Sequence, residues 1–210
     1  MGAALDGFSG KVFFIYIDMA TKLILIRHGA TAWNLQKRYC GFADLGLSQI
    51  GRQQVRKLSQ GLSRAKIHKV YSSDRKRAMQ TARIIFGKRE IEIIPELREI
   101  HFGAFEGLTH KQILKKHNSV YQKWLKDPYR TAIPKGEALK DFKERIISAL
   151  KKIIRKNPNK TIAVVCHGGT ISVFINSILK AKNFWQYIPK SASVSVVECD
   201  NGKLSIKKYG

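Results

Sequence analysis

The apolar runs LILI (residues 23–26) and IAVV (residues 162–165) most restrict how this 210-residue chain can fold. Each run is short, uninterrupted and bounded by polar residues, which indicates a β-strand buried on both faces. Such strands are typical of parallel sheets that carry helices on either side. The sequence therefore favours an α/β fold, and 44% hydrophobic residues suffice for one domain with a sizeable core.

Two amphipathic segments follow the first strand. Residues 47–62 carry an apolar stripe behind Ser48, a residue type that favours the N-cap position of a helix. Residues 74–86 form the second segment, in which Asp74 is predicted as the N-cap. The core-facing residues predicted for the two helices are Leu47, Ile50, Val55, Leu58 and Leu62 in the first, and Ala78, Ala82 and Ile85 in the second.

Strands and helices continue to alternate along the rest of the chain, whereas residues 28–46 read as an irregular loop. Two further strands are predicted at 69–73 and 91–97, and the second of these is an edge strand ended by Pro95. Further helices are predicted over about 109–125, 138–156 and 170–180. A closing hairpin is predicted around residues 200–202. The alternation predicts a three-layer α/β/α sandwich around a mainly parallel central sheet.

Ligands of open α/β sheets bind at the carboxyl ends of the strands. His28 and His167, which directly follow the two apolar strands, are therefore expected to face one pocket. Arg27 and Arg77 would bring two guanidinium groups to the same place, and Glu99 a carboxyl group. An imidazole nucleophile, cations and an acid are the groups that phosphoryl transfer needs, so we expect neither a metal nor a cofactor.

Four motifs occur in order along the chain: LIRHGATAWN, SSDRKRAMQTA, ELREIHFGAFEG and VVCHGG. With these motifs the chain resembles the histidine phosphatase superfamily, the group that includes the cofactor-dependent phosphoglycerate mutases. Each motif falls on the element where the pattern of strands and helices predicts it. The resemblance covers residues 23–169 and implies the phosphoglycerate mutase-like fold.

The resemblance also implies roles for individual residues. His28 would attack phosphorus and become phosphohistidine, while Glu99 would protonate the departing oxygen and then activate water. In this superfamily the stretch that holds Cys40 and Gly41 often borders the substrate, which makes both residues candidates for substrate binding. The phosphoryl oxygens would be held by Arg27, Asn34, Arg77, His167 and the backbone around Gly168.

The resemblance favours hydrolysis over isomerisation. The phosphoglycerate mutases carry a longer insertion after the FGxxEG motif and a tail that closes the site, whereas only residues 108–160 separate this motif from the next strand here. Among the phosphatases, the chain looks most like the alpha-ribazole phosphatases of cobalamin biosynthesis. The same features occur in broad-spectrum, phosphoserine and sugar phosphatases. Ala30, where that branch usually has Glu, and Cys40, where Gln is more usual, leave the substrate open.

The net charge of +24, from 39 Lys and Arg against 15 Asp and Glu, must attract anions. The basic residues are spread along predicted helices without a DNA- or RNA-binding motif, so solvated helix faces explain them at least as well as a nucleic-acid patch. We therefore expect a small phosphorylated metabolite as partner and no nucleic acid. The alternative is a protein without catalytic activity whose positive charge binds nucleic acid.

The three cysteines, Cys40, Cys166 and Cys199, form no CxxC pair and no metal-ligand spacing, which favours a reducing, cytoplasmic location. The apolar run within residues 1–18 is too short for a membrane span and poor as a signal peptide. We expect an extension without function over residues 1–18, a single domain over residues 19–210 and no membrane partner, with a homodimer as the default. His101, His110 and His117 fit no paired pattern, and surface or local roles are expected for them.

Overall fold

The computed structural model describes residues 20–181 and 183–210, which build one six-stranded sheet. The strands are β1 (Thr21–Arg27), β2 (Lys69–Ser72), β3 (Glu92–Ile93), β4 (Thr161–Cys166), β5 (Val194–Asp200) and β6 (Lys203–Lys208). Their order across the sheet is β3-β2-β4-β1-β5-β6. β1 to β4 run parallel to one another, and β5 is antiparallel to both β1 and β6. The predicted extension over residues 1–18 lies outside the described residues.

Within the residues that the structure describes, six α-helices accompany the sheet. They are α1 (Ala32–Leu35), α2 (Gln49–Leu62), α3 (Lys76–Phe86), α4 (His110–Lys126), α5 (Leu139–Lys156) and α6 (Gly168–Leu179). Short 3-10 turns lie at Pro95–Leu97, Gly103–Phe105 and Phe184–Tyr187. Within the described ranges, no helix has the length and apolar character that crossing a membrane requires.

The sheet has a hydrophobic core on each face, because successive side chains of a strand point to opposite sides. Leu23 and Leu25 of β1 lie in the core formed with α4, α5 and α6. Ile24 and Ile26 lie in the other core, against α3 and the partly buried residues of α2. The predicted three-layer α/β/α sandwich with a mainly parallel sheet is confirmed.

The register between the two central strands brings their ends together. β1 pairs with β4 in parallel, with Arg27 opposite Cys166. The backbone N–H of His28 donates to the carbonyl oxygen of Cys166 over 3.0 Å. His28 and His167 therefore leave the sheet side by side.

The hairpin predicted at the end of the chain is present. Asp200 pairs with Lys203, and the turn residues Asn201 and Gly202 have φ of 46° and 79°. Positive φ at both central residues is the geometry of the tight turn that Asn-Gly favours. The expected edge strand is also present, shortened to the two residues of β3.

The prediction of Asp74 as a helix cap is wrong. α3 has Arg75 at its N-cap position without a side-chain cap, and Asp74 instead accepts two 2.9 Å hydrogen bonds from Nε of Arg98. A guanidinium group offers a carboxylate a paired, charge-assisted contact, which is stronger than a single bond to a backbone amide. The start of α3 receives its carboxylate from another loop, since the Lys76 N–H donates to Oδ1 of Asp44 over 2.8 Å.

Two further expectations in the first half of the chain need correction. The predicted loop over residues 28–46 contains α1, capped by a reciprocal pair of hydrogen bonds between Thr31 and Asn34. In α2, Ile50 is 49% exposed, although the stripe placed it in the core. Gly51, not Ile50, faces inward, because the backbone of Ala30 passes directly over α2 at that point.

Candidate active site

The two histidines predicted to meet are in contact at the end of the sheet. The ring centroids of His28 and His167 lie 5.1 Å apart at an interplanar angle of 65°. His28 is 3% exposed and His167 is fully buried. Two imidazole groups withdrawn from water lie where the ligand of an open α/β sheet is expected.

The hydrogen bonds of His28 define its tautomer. Nδ1 lies 2.7 Å from the carbonyl oxygen of Gly29, and because a carbonyl only accepts, Nδ1 carries the proton. Nε2 accepts a hydrogen bond of 3.2 Å from Nε of Arg77. Burial holds the pKa of His28 well below 6.5, and the charges of Arg77 and Arg27 lower it further. The ring is therefore neutral, with a lone pair on Nε2.

The guanidinium group of Arg77 is fully buried and fixed by the loop that follows α1. Nη1 donates to the carbonyl oxygen of Ala43 over 2.8 Å, and Nη2 to that of Gly41 over 2.7 Å. The same loop is held from the other side by Glu106, whose Oε1 accepts from the N–H groups of Gly41 and Phe42. These contacts keep a permanent cation against the imidazole of His28.

Arg27 brings the second cation to the site. Its Nη1 donates to the carbonyl oxygen of Pro189, and its Nε is buried without a partner among the described residues. Burial lowers the pKa of Arg27, an effect that nearby Glu99 opposes. Because an arginine stays charged at any physiological pH, its guanidinium group remains available for an anion.

Glu99 lies in a setting that favours the protonated carboxyl group. It is 7% exposed, and its oxygens accept hydrogen bonds from the N–H groups of Ile100 (3.0 Å) and Gly169 (2.8 Å). Burial raises the pKa of Glu99 above 4.5 despite these bonds and the charges of Arg27 and Arg77. The carboxyl group is thus suited to release a proton and take one up again.

His167 precedes the N-terminus of α6, where backbone N–H groups point outward. Its Nε2 lies 2.9 Å from Oγ of Ser73, while Nδ1 is buried without a partner among the described residues. Burial holds the pKa of His167 well below 6.5, with Arg77 the next largest cause. A neutral ring with one nitrogen engaged thus borders the start of α6.

A cavity of about 330 Å³ opens beside these groups. Its lining consists of Arg27, Asn34, Lys37, Arg38, Tyr39, Cys40, Glu99, Phe102, His110, Tyr121, Gly168, Gly169, Phe184, Trp185 and Ile188. Oδ1 of Asn34 accepts from Thr31, which leaves its amide NH₂ as the donor available to a ligand. Gly41 does not line the cavity and contacts Arg77 instead.

The aromatic wall of this cavity was not anticipated from the sequence. We define it as Tyr39, Phe102, Tyr121, Phe184 and Trp185. The hydroxyl of Tyr121 bonds both to that of Tyr39 and to Nδ1 of His110, each over 2.8 Å. These residues come from four separate segments, and no spacing in the sequence links them. His110 has the local contact expected of it and also lines the cavity.

Acids and metal ligands are sparse around the site. Glu99 is the only carboxylate among the described residues that line the cavity. Within residues 20–181 and 183–210, no group of three His, Cys, Asp or Glu side chains is placed to hold a metal ion. Cys40 lies on the cavity wall, where burial raises the pKa of its thiol, so it remains protonated.

The family model of the histidine phosphatase superfamily (branch 1) matches residues 23–210. The chain belongs to this superfamily and is a phosphatase, a hydrolase of phosphoric monoesters. The resemblance read from the four motifs, including the likeness to alpha-ribazole phosphatases, is confirmed.

Its relatives carry different substrate names. Phosphoglycerate mutase-like protein 4 of Arabidopsis thaliana is 37% identical over 200 residues, 92% of this chain and 86% of the relative. Phosphoserine phosphatase 1 of Hydrogenobacter thermophilus is 31% identical over 191 residues, 89% of this chain and 90% of the relative. The crystal structure of the alpha-ribazole phosphatase from Shigella flexneri has a TM-score of 0.81 at 27% identity, covering 90% of this chain and 95% of that one.

Proposed function

We propose that the chain hydrolyses phosphomonoesters without a metal, through a phosphohistidine at His28. The observation that carries the proposal is the unprotonated Nε2 of His28, held at 3.2 Å from the guanidinium Nε of Arg77. A neutral imidazole is a nucleophile at this nitrogen. Arg77 and Arg27 stabilise the negative charge of the phosphoryl group as it is transferred. The amide of Asn34 and the N–H groups around Gly168 add donors to the same oxygens.

The reaction has two steps that share Glu99. In the first, a bond forms between Nε2 of His28 and phosphorus, the bond from phosphorus to the alcohol oxygen breaks, and Glu99 donates its proton to that oxygen. In the second, water attacks phosphorus, the bond to His28 breaks, and the proton of the water returns to Glu99. The raised pKa of Glu99 supports this exchange, because a general acid works best when its pKa lies near the working pH.

For the substrate we propose alpha-ribazole phosphate, in which the alcohol carries a heteroaromatic base. The aromatic wall supports this choice, because rings at the side of a cavity stack on a flat, apolar group. The Nε1 of Trp185 is buried without a partner among the described residues and is available to an acceptor nitrogen or oxygen of the ligand. Broad activity on aromatic phosphomonoesters is the second candidate that the same wall supports.

Phosphoserine fits the cavity less well. Its ammonium group needs an acceptor or a negative charge, and Glu99 is the only carboxylate among the described lining residues. Glu99 is already engaged by the N–H groups of Ile100 and Gly169 and is assigned to proton transfer. A small, zwitterionic alcohol would also leave the aromatic wall without contacts.

The segment after the FGxxEG motif supports hydrolysis over mutase activity. Residues 108–160 contain α4, α5 and a connection between them, and no further strand or helix. Lys37, at the cavity, is exposed to solvent. Water that reaches the phosphohistidine ends the reaction as hydrolysis, so a mutase remains the less favoured candidate.

The test is a comparison of kcat/KM over alpha-ribazole phosphate, p-nitrophenyl phosphate, glycerol phosphate, sugar phosphates, phosphoserine and 3-phosphoglycerate. We expect alpha-ribazole phosphate to be preferred over phosphoserine by at least about tenfold, a difference of about 1.4 kcal/mol. Trp185→Leu should lower kcat/KM for alpha-ribazole phosphate about two- to tenfold, the range of one aromatic contact, and leave glycerol phosphate unchanged. A preference for phosphoserine would refute the proposed substrate and leave the phosphatase class intact.

A further inference from the structure

The proposed phosphoryl transfer gives no role to the contact between Ser73 and His167. Both side chains are fully buried, and Oγ of Ser73 lies 2.9 Å from Nε2 of His167. The other ring nitrogen, Nδ1, has no partner among the described residues. Ser73 follows β2, and His167 follows β4, the strand beside it in the sheet. At this edge the ring of His167 lies directly beside that of His28.

The tautomer of His167 determines what it can do for a phosphoryl group. Phosphoryl oxygens only accept hydrogen bonds, and a neutral imidazole carries a single N–H. Since Nε2 faces Ser73, His167 donates to a phosphoryl oxygen only if Nδ1 carries the proton. In the opposite tautomer, the lone pair of Nδ1 would face the ligand and repel its charge.

The position of the Ser73 hydroxyl favours the useful tautomer. The N–H of Arg75 points at Oγ of Ser73 over 3.4 Å, so the oxygen already faces one donor. The hydroxyl hydrogen is then free to be donated to Nε2 of His167, which leaves the ring proton on Nδ1. The positively charged form of the ring is disfavoured by burial and by the arginines around it.

We propose that Ser73 is a positioning residue, which donates to Nε2 of His167 and so keeps the ring proton on Nδ1 for the phosphoryl oxygen. The proposal rests on the proposed phosphohistidine mechanism, because it assigns the partner of Nδ1. It gives His167 a donor without requiring a charged imidazole beside the neutral ring of His28. Partners that orient a functional histidine in this way commonly affect activity without touching the ligand.

The direct test is ¹⁵N NMR of the full-length chain with labelled histidine, in which the His167 signals are assigned by their loss in His167→Gln. We expect Nδ1 of His167 to have the shift of a protonated nitrogen and Nε2 that of an unprotonated one. In Ser73→Ala the two signals should move toward each other as the tautomers mix. A wild-type spectrum with the proton on Nε2 would overturn the proposal, whether or not the chain is active.

The kinetic test uses a matched pair of neighbouring serines. Ser73→Ala should lower kcat/KM for p-nitrophenyl phosphate about 10- to 100-fold. This is the range seen in metalloproteins when the hydrogen-bond partner of a metal-binding histidine is removed. Ser73→Ala should also weaken inhibition by vanadate by a similar factor. Ser72 is equally buried, and its Oγ donates to the carbonyl oxygen of Ser73 rather than to a histidine. Ser72→Ala is therefore expected to leave both quantities within about twofold.

The same series of variants includes controls for correct folding. Ser73→Thr keeps a hydroxyl and should restore most of the activity and the wild-type tautomer signals. Thermal unfolding of each variant separates a loss of structure from a loss of the hydrogen bond. Full activity and unchanged vanadate inhibition in folded Ser73→Ala would overturn the assignment of Ser73. Inactivity of the wild-type chain on every phosphomonoester would instead contradict the proposed function, while the tautomer remains measurable.

Discussion

Burial shifts the pKa values of His28 and Glu99 in opposite directions. It favours the neutral form of each group, which lowers the pKa of His28 below 6.5 and raises that of Glu99 above 4.5. In the proposed mechanism the neutral imidazole is the nucleophile and the neutral carboxyl group is the proton donor. One physical cause therefore prepares both partners of the first step in the same pH range.

The opposite shifts of these two pKa values predict the pH dependence of kcat/KM. As the pH falls below 6.5 toward the lowered pKa of His28, protonation removes the nucleophile and activity falls. As the pH rises above 4.5 and passes the raised pKa of Glu99, loss of the acid reduces activity on alcohols that leave poorly. The check is a pH profile of kcat/KM with an alkyl phosphate, in which both limbs should appear.

Glu99→Gln tests the acid itself. Since kcat/KM reports the steps up to release of the alcohol, it should fall about 10²- to 10⁴-fold for an alkyl phosphate. The loss should be much smaller for p-nitrophenyl phosphate, whose phenolate leaves without a proton. The alkaline limb should also disappear in the variant. Equal losses for the two substrates would show that Glu99 is not the proton donor.

At the level of single residues, the sequence placed the charged groups better than the supporting ones. His28 and His167 follow buried strands, so strand pattern and sheet topology suffice to bring them together. Ser73 also follows a strand, but no local pattern predicts its contact with His167, and Trp185 lies outside every strand and helix predicted from the sequence. Asp74 was misplaced for the same reason: its partner Arg98 lies in another loop, and the local pattern favoured a cap.

At the level of elements, the close packing of α2 against the loop after β1 positions His28, the proposed nucleophile. A Cβ atom at Gly51 would lie 2.0 Å from the carbonyl oxygen of Ala30, and one at Gly29 would lie 2.6 Å from that of Gly51. Neither residue can carry a side chain without displacing backbone. The hydrophobic stripe suggested Ile50 as the inward residue, because a pattern of apolar side chains cannot reveal a contact made by glycine.

Alanine substitutions of two glycines of α2, Gly51 and Gly61, are predicted to have opposite effects on stability. Gly51→Ala should lower the free energy of unfolding by about 1–3 kcal/mol, as overpacking does, and reduce kcat/KM by shifting the loop beside His28. At Gly61, a Cβ atom would meet nothing within 4 Å. Gly61→Ala should raise the free energy of unfolding by up to about 1 kcal/mol, because alanine loses less backbone freedom in a helix. Urea unfolding measures both, and similar effects at the two positions would contradict the packing argument.

At the level of the whole molecule, the charge of +24 concerns the approach of the substrate. A positively charged surface raises the encounter rate with phosphate dianions, and dissolved salt screens that attraction. The charge does not select among phosphomonoesters, since every one of them is an anion. In the proposed function, the aromatic wall selects the substrate and the charge affects only the rate of binding.

Salt should therefore reduce kcat/KM and leave kcat nearly unchanged. The range to test is ~0.01 M to ~1 M sodium chloride, over which the Debye length falls from about 30 Å to about 3 Å. Stopped-flow or steady-state kinetics with a dianionic aryl phosphate give both constants. A kcat/KM that does not vary over this range would show that the positive charge does not accelerate substrate binding. Tight binding of polyanions without phosphatase activity would support the nucleic-acid alternative.

Trapping the intermediate shows whether a phosphohistidine forms at His28 without a metal. The enzyme is mixed with p-nitrophenyl phosphate in the presence of a chelator, quenched in base within milliseconds and analysed by peptide mass spectrometry. We expect an acid-labile phosphoryl group on the peptide that contains His28, absent in His28→Ala, whose turnover should also be lost. A phosphoryl group on another residue, or a wild-type enzyme that the chelator inactivates, would contradict this mechanism.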